Sequence, residues 1–282
     1  MRTTPGWTAF ALATAVALAA GSGSAEAQSR RSDDRDTDRA NWDWSGTVSE
    51  GRWVYVRNLN GAIRVEPGTG STVEVRAEKV ARRRGNVNDV RITVEQRSGR
   101  GDVVICALWN DRTRCDEDGY RTNSSNNWWR NNDNSTNNVS VEFVVRLPRG
   151  VRIAASTVNG GLEIDGVDSD VDAHTVNGSV LARSNGGQVR AKTVNGSLTV
   201  RSPQLGGGTM EYETVNGAIT LEIPENANAD VDLRTVNGGI STDFPLTIDG
   251  RFSSRRVRGT IGRGGPLLRL ETVNGSIRLR RA

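Results

Sequence analysis

One tetrapeptide, Thr-Val-Asn-Gly, recurs six times and limits what this chain can fold into more than any other feature. The copies begin at Thr157, Thr175, Thr193, Thr214, Thr235 and Thr272, at spacings of 18, 18, 21, 21 and 37 residues. Apolar residues recur around each copy, four and two residues before the threonine and five and seven after it, as at Val189, Ala191, Leu198 and Val200, with Thr242 as the one exception. This alternation predicts two strands joined by a corner, so each copy is one unit of a β-strand repeat.

Two degenerate copies extend the pattern. Residues 58–61 (NLNG) keep the apolar flanks, with Val54, Val56, Ile63 and Val65 at the four expected places. Residues 256–259 (RVRG) divide the last gap into 21 and 16 residues, and there Arg258 stands where the asparagine belongs. The repeat therefore spans most of the chain, and an all-β domain is expected.

Two architectures fit the repeat. In a parallel β-solenoid each copy is one rung, and like residues stack on like. The asparagines Asn159, Asn177, Asn195, Asn216, Asn237 and Asn274 would then form a ladder of buried, mutually bonded amides. In an antiparallel meander each Asn-Gly would be a hairpin turn, with glycine supplying a positive φ. A hairpin does not require the same four residues every time, whereas stacking rewards identity, so the solenoid is favoured.

The segments 54–65 (VYVRNLNGAIRV), 147–150 (LPRG) and the reiterated TVNG together resemble one bacterial family. It is an exported β-strand-repeat domain of unknown function labelled "putative adhesin". The resemblance covers about residues 46–282 and carries no known catalytic residues. It implies a β-solenoid-like fold, an envelope or surface location and a link to adhesion.

The sequence before the repeat predicts export. Residues 1–27 have the charged start, the apolar run and the Ala-Glu-Ala end of a secretory signal peptide. Residues 28–45 are rich in mixed charge and predict a disordered leader. The domain is then expected to occupy residues 46–282, with an Asn/Ser-rich insert loop at 121–138, in the periplasm or at the cell surface.

Composition excludes several classes of protein. A net charge of +4 does not indicate a nucleic-acid binder, and no stretch beyond the signal is apolar enough to cross a membrane. One histidine and two cysteines leave no zinc set, and neither a metal nor a cofactor is expected. In an oxidising compartment Cys106 and Cys115 are expected to form a disulfide.

Three groups of residues are candidates for a site. The first is an acidic group of Glu163, Asp165, Asp168, Asp170 and Asp172, for which a solvated outer face is favoured over Ca²⁺ binding. The second is the arginine-rich end of the chain, which could bind an anionic polymer; its binding residues would be Arg255, Arg256, Arg258, Arg280 and Arg281. The third is the pair Trp128 and Trp129 in the Asn-rich loop, which suits carbohydrate contact.

These observations predict a non-enzymatic, adhesin-like envelope or surface protein that binds polysaccharide or an anionic surface polymer. Two alternatives remain open at this point. One is a structural or signalling accessory protein of the envelope with a protein partner. The other is a polysaccharide-active enzyme, for which the lone His174 gives no support as part of a catalytic triad.

Overall fold

The computed structural model describes residues 37–82, 85–97, 99–122, 138–248 and 253–282. These residues form strands and one 3₁₀ turn, Val87–Asp89, and no α-helix occurs among them. The strands are β1 (Thr37–Thr47), β2 (Trp53–Arg57), β3 (Ile63–Pro67), β4 (Thr72–Arg82), β5 (Arg91–Gln96), β6 (Val103–Leu108), β7 (Thr113–Asp116), β8 (Gly119–Thr122), β9 (Val139–Leu147), β10 (Arg152–Asn159), β11 (Leu162–Val167), β12 (Val171–Asn177), β13 (Val180–Ser184), β14 (Val189–Lys192), β15 (Leu198–Arg201), β16 (Met210–Asn216), β17 (Ile219–Ile223), β18 (Ala229–Asn237), β19 (Ile240–Thr242), β20 (Thr247–Ile248), β21 (Arg256–Ile261), β22 (Leu267–Asn274) and β23 (Ile277–Arg281).

Two large sheets face each other. Sheet A has ten strands in the order β1-β4-β9-β3-β11-β13-β15-β17-β23-β19. Sheet B has eleven, in the order β20-β21-β18-β22-β16-β14-β12-β10-β2-β6-β5, and β7 and β8 form a separate hairpin. Each copy of the repeat gives one strand to sheet B, turns at its Asn-Gly and gives the next strand to sheet A.

The copies stack in parallel and in register. In sheet B Thr157 lies beside Thr175, and Asn159 lies beside Asn177. In sheet A Leu198 lies between Val180 and Ile219. This confirms the β-solenoid, and the meander of Asn-Gly hairpins is wrong, because parallel neighbours cannot be joined by a two-residue turn.

The order of the rungs differs from the order of the sequence. The last copy, on β22 and β23, lies between the copy at Thr214 and the copy at Thr235. The degenerate copy at 256–259 is not a rung, because β21 runs antiparallel to β18 and covers that end of sheet B. The rungs therefore do not follow the order of the chain at this end.

The described structure begins earlier than the predicted domain. Strand β1 pairs with β4 along its whole length, from Thr37 beside Arg82 to Thr47 beside Thr72. Trp42 and Trp44 alternate with Asn41 and Asp43, and the tryptophans pack against the core. The prediction of a disordered leader is thus wrong for residues 37–45, since two large aromatic side chains give this charged stretch an apolar face. Residues 1–36, with the predicted signal peptide, lie outside the described residues.

The core lies between the two sheets and is filled by the apolar positions of the repeat. Residues such as Val54, Val189, Leu198 and Ile277 have no exposed surface. Tyr212 is also fully buried, and its hydroxyl donates a hydrogen bond to the carbonyl of Val189 over 2.7 Å. The inward side chains of the strands are therefore buried in the core, so a binding site must use an outer face or a corner.

Candidate functional site

The repeat threonines are buried at the corner between the sheets. They are 3–6% exposed, and each hydroxyl donates to a glycine carbonyl of the neighbouring rung. Thr193, for example, bonds the carbonyl of Gly178 at 2.9 Å. A buried carbonyl left without a partner is costly, which explains why threonine is kept at this place in every copy.

The repeat glycines are required by the closeness of the stacked corners. A Cβ at Gly196 would overlap the carbonyl oxygen of Gly178, and one at Gly217 would overlap that of Gly196. No side chain fits such a gap. The sequence argument from positive φ was therefore incomplete, because at these corners the contact between backbones already excludes any other residue.

The asparagines form the expected ladder of amides, but on the outside. From Asn159 onward, each Nδ2 donates over 2.7–2.9 Å to the Oδ1 of the preceding asparagine in the spatial series Asn60, Asn159, Asn177, Asn195, Asn216, Asn274 and Asn237. The six asparagines of the full copies are exposed. The expectation that they are buried is wrong, since the chain turns outward directly after the buried threonine.

The valines of the repeat form an exposed apolar row beside this ladder. Its members, in spatial order, are Val176, Val194, Val215, Val273 and Val236, and they are 38–54% exposed. Neighbouring strands lie about 4.8 Å apart, so the row extends ~19 Å across five rungs. A contiguous apolar strip on an outer surface is typical of an interaction site. The sequence shows a valine at the same position of every full copy. This valine was not among the predicted binding residues, which were charged or aromatic.

A groove of about 790 Å³ runs along this valine row. Valines form one wall, and the residues preceding the threonines form the other; in spatial order these are His174, Lys192, Glu213, Glu271 and Arg234. Arg255 and Arg256 line its far end. We call this feature the valine groove. It is continuous across the rungs, so it suits a ligand that is itself extended.

Ion pairs hold the charged wall in place. Lys192 contacts Glu211 at 3.0 Å and Glu213 at 3.3 Å, and Arg234 contacts Glu271 at 3.3 Å. Burial opposes the charge on Lys192, but the hydrogen bonds to Glu211 and Glu213 outweigh it and raise the lysine pKa. Lys192 therefore keeps its positive charge at neutral pH. The wall carries basic residues at Lys192 and Arg234, with the acidic residues Glu213 and Glu271 between them.

The five predicted arginines do not form one patch. Arg255 and Arg256 reach the valine groove, and neither contacts a carboxylate of the described residues. Arg258 pairs with Asp232 at 3.1 Å, and Arg281 pairs with Glu225 at 3.3 Å. Arg280 lies on β23 in the other sheet. Because the last copy is inserted inside the stack, its arginines are not gathered at the end of the solenoid.

The acidic group is divided among β11, the turn after it and β12, and its members have basic partners. Glu163 pairs with Arg64, Asp165 with Arg183, Asp168 with Arg149, Asp170 with Arg152, and Asp172 with His174. Burial opposes ionisation of Asp172, yet the His174 contact, with Arg190 and Arg57, lowers its pKa overall. No group of three metal-ligating side chains occurs in the part of the chain that the structure describes.

The predicted disulfide is confirmed, and it fastens a hairpin to the outside of sheet B. Cys106 on β6 is bonded to Cys115 on β7, and together with Tyr55 and Tyr120 they form a second, small apolar cluster. Arg57 beneath the hairpin is buried, and this burial lowers its pKa. The chain leaves this hairpin toward the Asn-rich loop. Trp128 and Trp129 lie in that loop, outside the described residues.

A comparison with protein families decides the relationship. A family model described as Toastrack DUF4097 matches residues 53–280. The chain belongs to this family. The match confirms the resemblance drawn from the TVNG repeat, and Toastrack domains share the solenoid-like stack of strands described here.

Among solved structures, two similar chains are both of low identity. A putative cell adhesion protein from Clostridium sporogenes is 12% identical, with a TM-score of 0.47 over 86% of this chain and 100% of that chain. A putative adhesin from Bacteroides fragilis is 10% identical, with a TM-score of 0.37 over 87% of this chain and 97% of that chain. No curated protein matches the chain. No helix in the described ranges is long and apolar enough to cross a membrane.

Proposed function

We propose that this Toastrack protein is a non-enzymatic, exported, adhesin-like protein that binds an extended anionic polysaccharide along the valine groove. The observation that carries the proposal is the unbroken row of exposed valines across five rungs. These valines are 38–54% exposed, so the fold uses only part of their apolar surface. A partner that covers the row would gain from the apolar area removed from water.

The ligand class follows from the two walls and the end of the groove. The valines offer an apolar surface to the C–H faces of sugar rings. Along the groove Lys192 and Arg234 are balanced by Glu213 and Glu271. Arg255 and Arg256 then give its far end a surplus of two cations. An acidic polysaccharide carries apolar ring faces and negative charges at regular intervals. It can also extend along the stack without bending.

The test measures binding of the protein, expressed from Met1, to a panel of acidic and neutral polysaccharides at low and high salt. The groove variant Val194→Ser/Val215→Ser/Val273→Ser is expected to lose roughly tenfold or more in affinity, because apolar contact is removed at three rungs. Leu181→Ser, a partly exposed aliphatic residue on the outer face of sheet A, is the matched control and should bind as the wild type does. Arg255→Gln/Arg256→Gln should weaken acidic ligands and flatten their salt dependence.

Three results would contradict the proposal. One is the absence of binding to every acidic polysaccharide in the panel. Another is binding that survives the groove variant and is lost in Trp128→Ala/Trp129→Ala, which would place the ligand at the Asn-rich loop. The third is binding of an extended peptide in the groove without polysaccharide binding, which would favour the accessory protein with a protein partner.

A further inference from the structure

The two ends of sheet A are built differently. One end finishes in β19, a strand of three residues, and the same end of sheet B finishes in β20, of two residues. The other end of sheet A finishes in β1, which has eleven residues. Short edge strands limit pairing with another chain, whereas a long regular edge is a template for it.

Strand β1 carries few of the features that protect an edge. Its register with β4 is continuous over all eleven residues, without a bulge, and it contains no proline. In the described ranges its only strand partner is β4, so its second edge has no strand beside it. The remaining protection is charge, from Asp38, Arg39 and Asp43.

Two of those charges, on Arg39 and Asp43, are arranged to favour one partner, a second copy of β1. When two antiparallel copies meet with Asn41 opposite Asn41, Arg39 of each copy lies opposite Asp43 of the other. Arg39 and Asp43 are both exposed and both lie on the outer face of the sheet. Residues that pair directly across two strands must share a face, so this pairing is possible. On the inner face Ala40 then lies opposite Trp42, a small residue against a large one. Registers shifted by two residues place Arg39 opposite Asn41 or Ser45 and lose both charge pairs.

We propose that the protein forms a two-fold dimer in which β1 pairs antiparallel with β1 of a second copy, centred on Asn41. The outer faces of the two sheets A then become continuous. Arg39 already contacts Glu78 at 2.8 Å, and Asp43 contacts Arg76 at 3.4 Å, so each new Arg39–Asp43 pair extends an existing ion pair on both sides. This inference is independent of the valine groove, which lies on the other sheet and its corner.

The first test exchanges the charges. Arg39→Glu and Asp43→Arg each place like charges opposite each other at two symmetric points, and each should weaken dimerisation roughly tenfold. An equimolar mixture of the two single variants should restore a heterodimer, because position 39 of each copy then again faces the opposite charge at position 43 of the other. The double variant should dimerise as the wild type does. Exposed ion pairs add little to folding, so the melting temperature should stay close to that of the wild type.

The second test fixes the register. In an Asn41→Cys variant the two new thiols lie opposite each other, within reach of a disulfide. The native cysteines are bonded to each other and do not compete. Asn41→Cys should give a covalent dimer on oxidation, and Ser45→Cys, the matched control, should not. A monomeric wild type by sedimentation, single charge variants that dimerise as well as the wild type, or a crosslink in the Ser45→Cys variant rather than in the Asn41→Cys variant would overturn the proposal.

Discussion

At the scale of the residue, the four members of the repeat are kept for four different reasons. Threonine is buried and bonds a carbonyl of the next rung, and glycine allows two corners to touch. Asparagine links the rungs on the outside, and valine does none of these things. The sequence predicted the amide ladder from the identity of the repeat. It did not predict that the ladder is exposed, because alternation alone does not show where the chain turns outward.

Replacing the repeat threonine should have a clear effect on the free energy of unfolding. Thr193→Val keeps the volume of the side chain but leaves the Gly178 carbonyl without the hydroxyl it accepts from. We expect a loss of about 1–3 kcal/mol in the free energy of unfolding, measured by urea denaturation. The matched control is Thr199→Val, on the outer face of sheet A, which should change stability by less than ~0.5 kcal/mol. Equal effects of the two substitutions would show that the buried hydroxyl is not responsible.

At the scale of the element, β21 ends the parallel stack of sheet B, because it runs antiparallel to β18. Antiparallel pairing with β18 covers an edge that a further rung would otherwise occupy. The pairing is reinforced by Asp232, which is buried and contacts both Arg234 and Arg258. The sequence suggested a degenerate rung here, because RVRG keeps the valine and glycine of the repeat. Strand direction depends on the whole connection from β19 onward, which the tetrapeptide does not encode.

Asp232 makes this element sensitive to pH. Burial opposes its ionisation, but the two arginines outweigh burial and lower its pKa below the unfolded value. The carboxylate therefore stabilises the fold above the unfolded pKa of about 3.9, and this contribution disappears as pH falls through the lower folded pKa. Asp232→Asn should lose about 1–3 kcal/mol at pH 7, and the difference from the wild type should shrink toward zero in strong acid.

The comparison is made by thermal unfolding of both proteins across a series of pH values. Asp243→Asn serves as the control, since Asp243 is exposed and has no ion pair within the described ranges. It should show no such pH dependence. A difference between Asp232→Asn and the wild type that stays constant from pH 7 into acid would contradict the role given to the charged carboxylate.

At the scale of the whole molecule, the valine groove exists because separate copies of the repeat form one stack. The sequence showed the repeat unit, the two strands within it and the family. It did not show that the copy at Thr272 is placed inside the stack, between those at Thr214 and Thr235. Identical copies can stack in several orders with nearly the same local contacts. The order is set by where β20 and β21 place the returning chain, and this depends on long-range packing.

The stacking order of the rungs is tested most directly by a set of disulfide crosslinks along the valine row. Pairs of cysteines at Val215 and Val273, and at Val273 and Val236, lie on neighbouring rungs and should crosslink on oxidation. A pair at Val215 and Val236 is two rungs apart and should remain reduced. Peptide mapping of the three double variants identifies the bonds. Crosslinking of residue 215 to residue 236, with none to residue 273, would show that the copies stack in chain order and would contradict the groove described here.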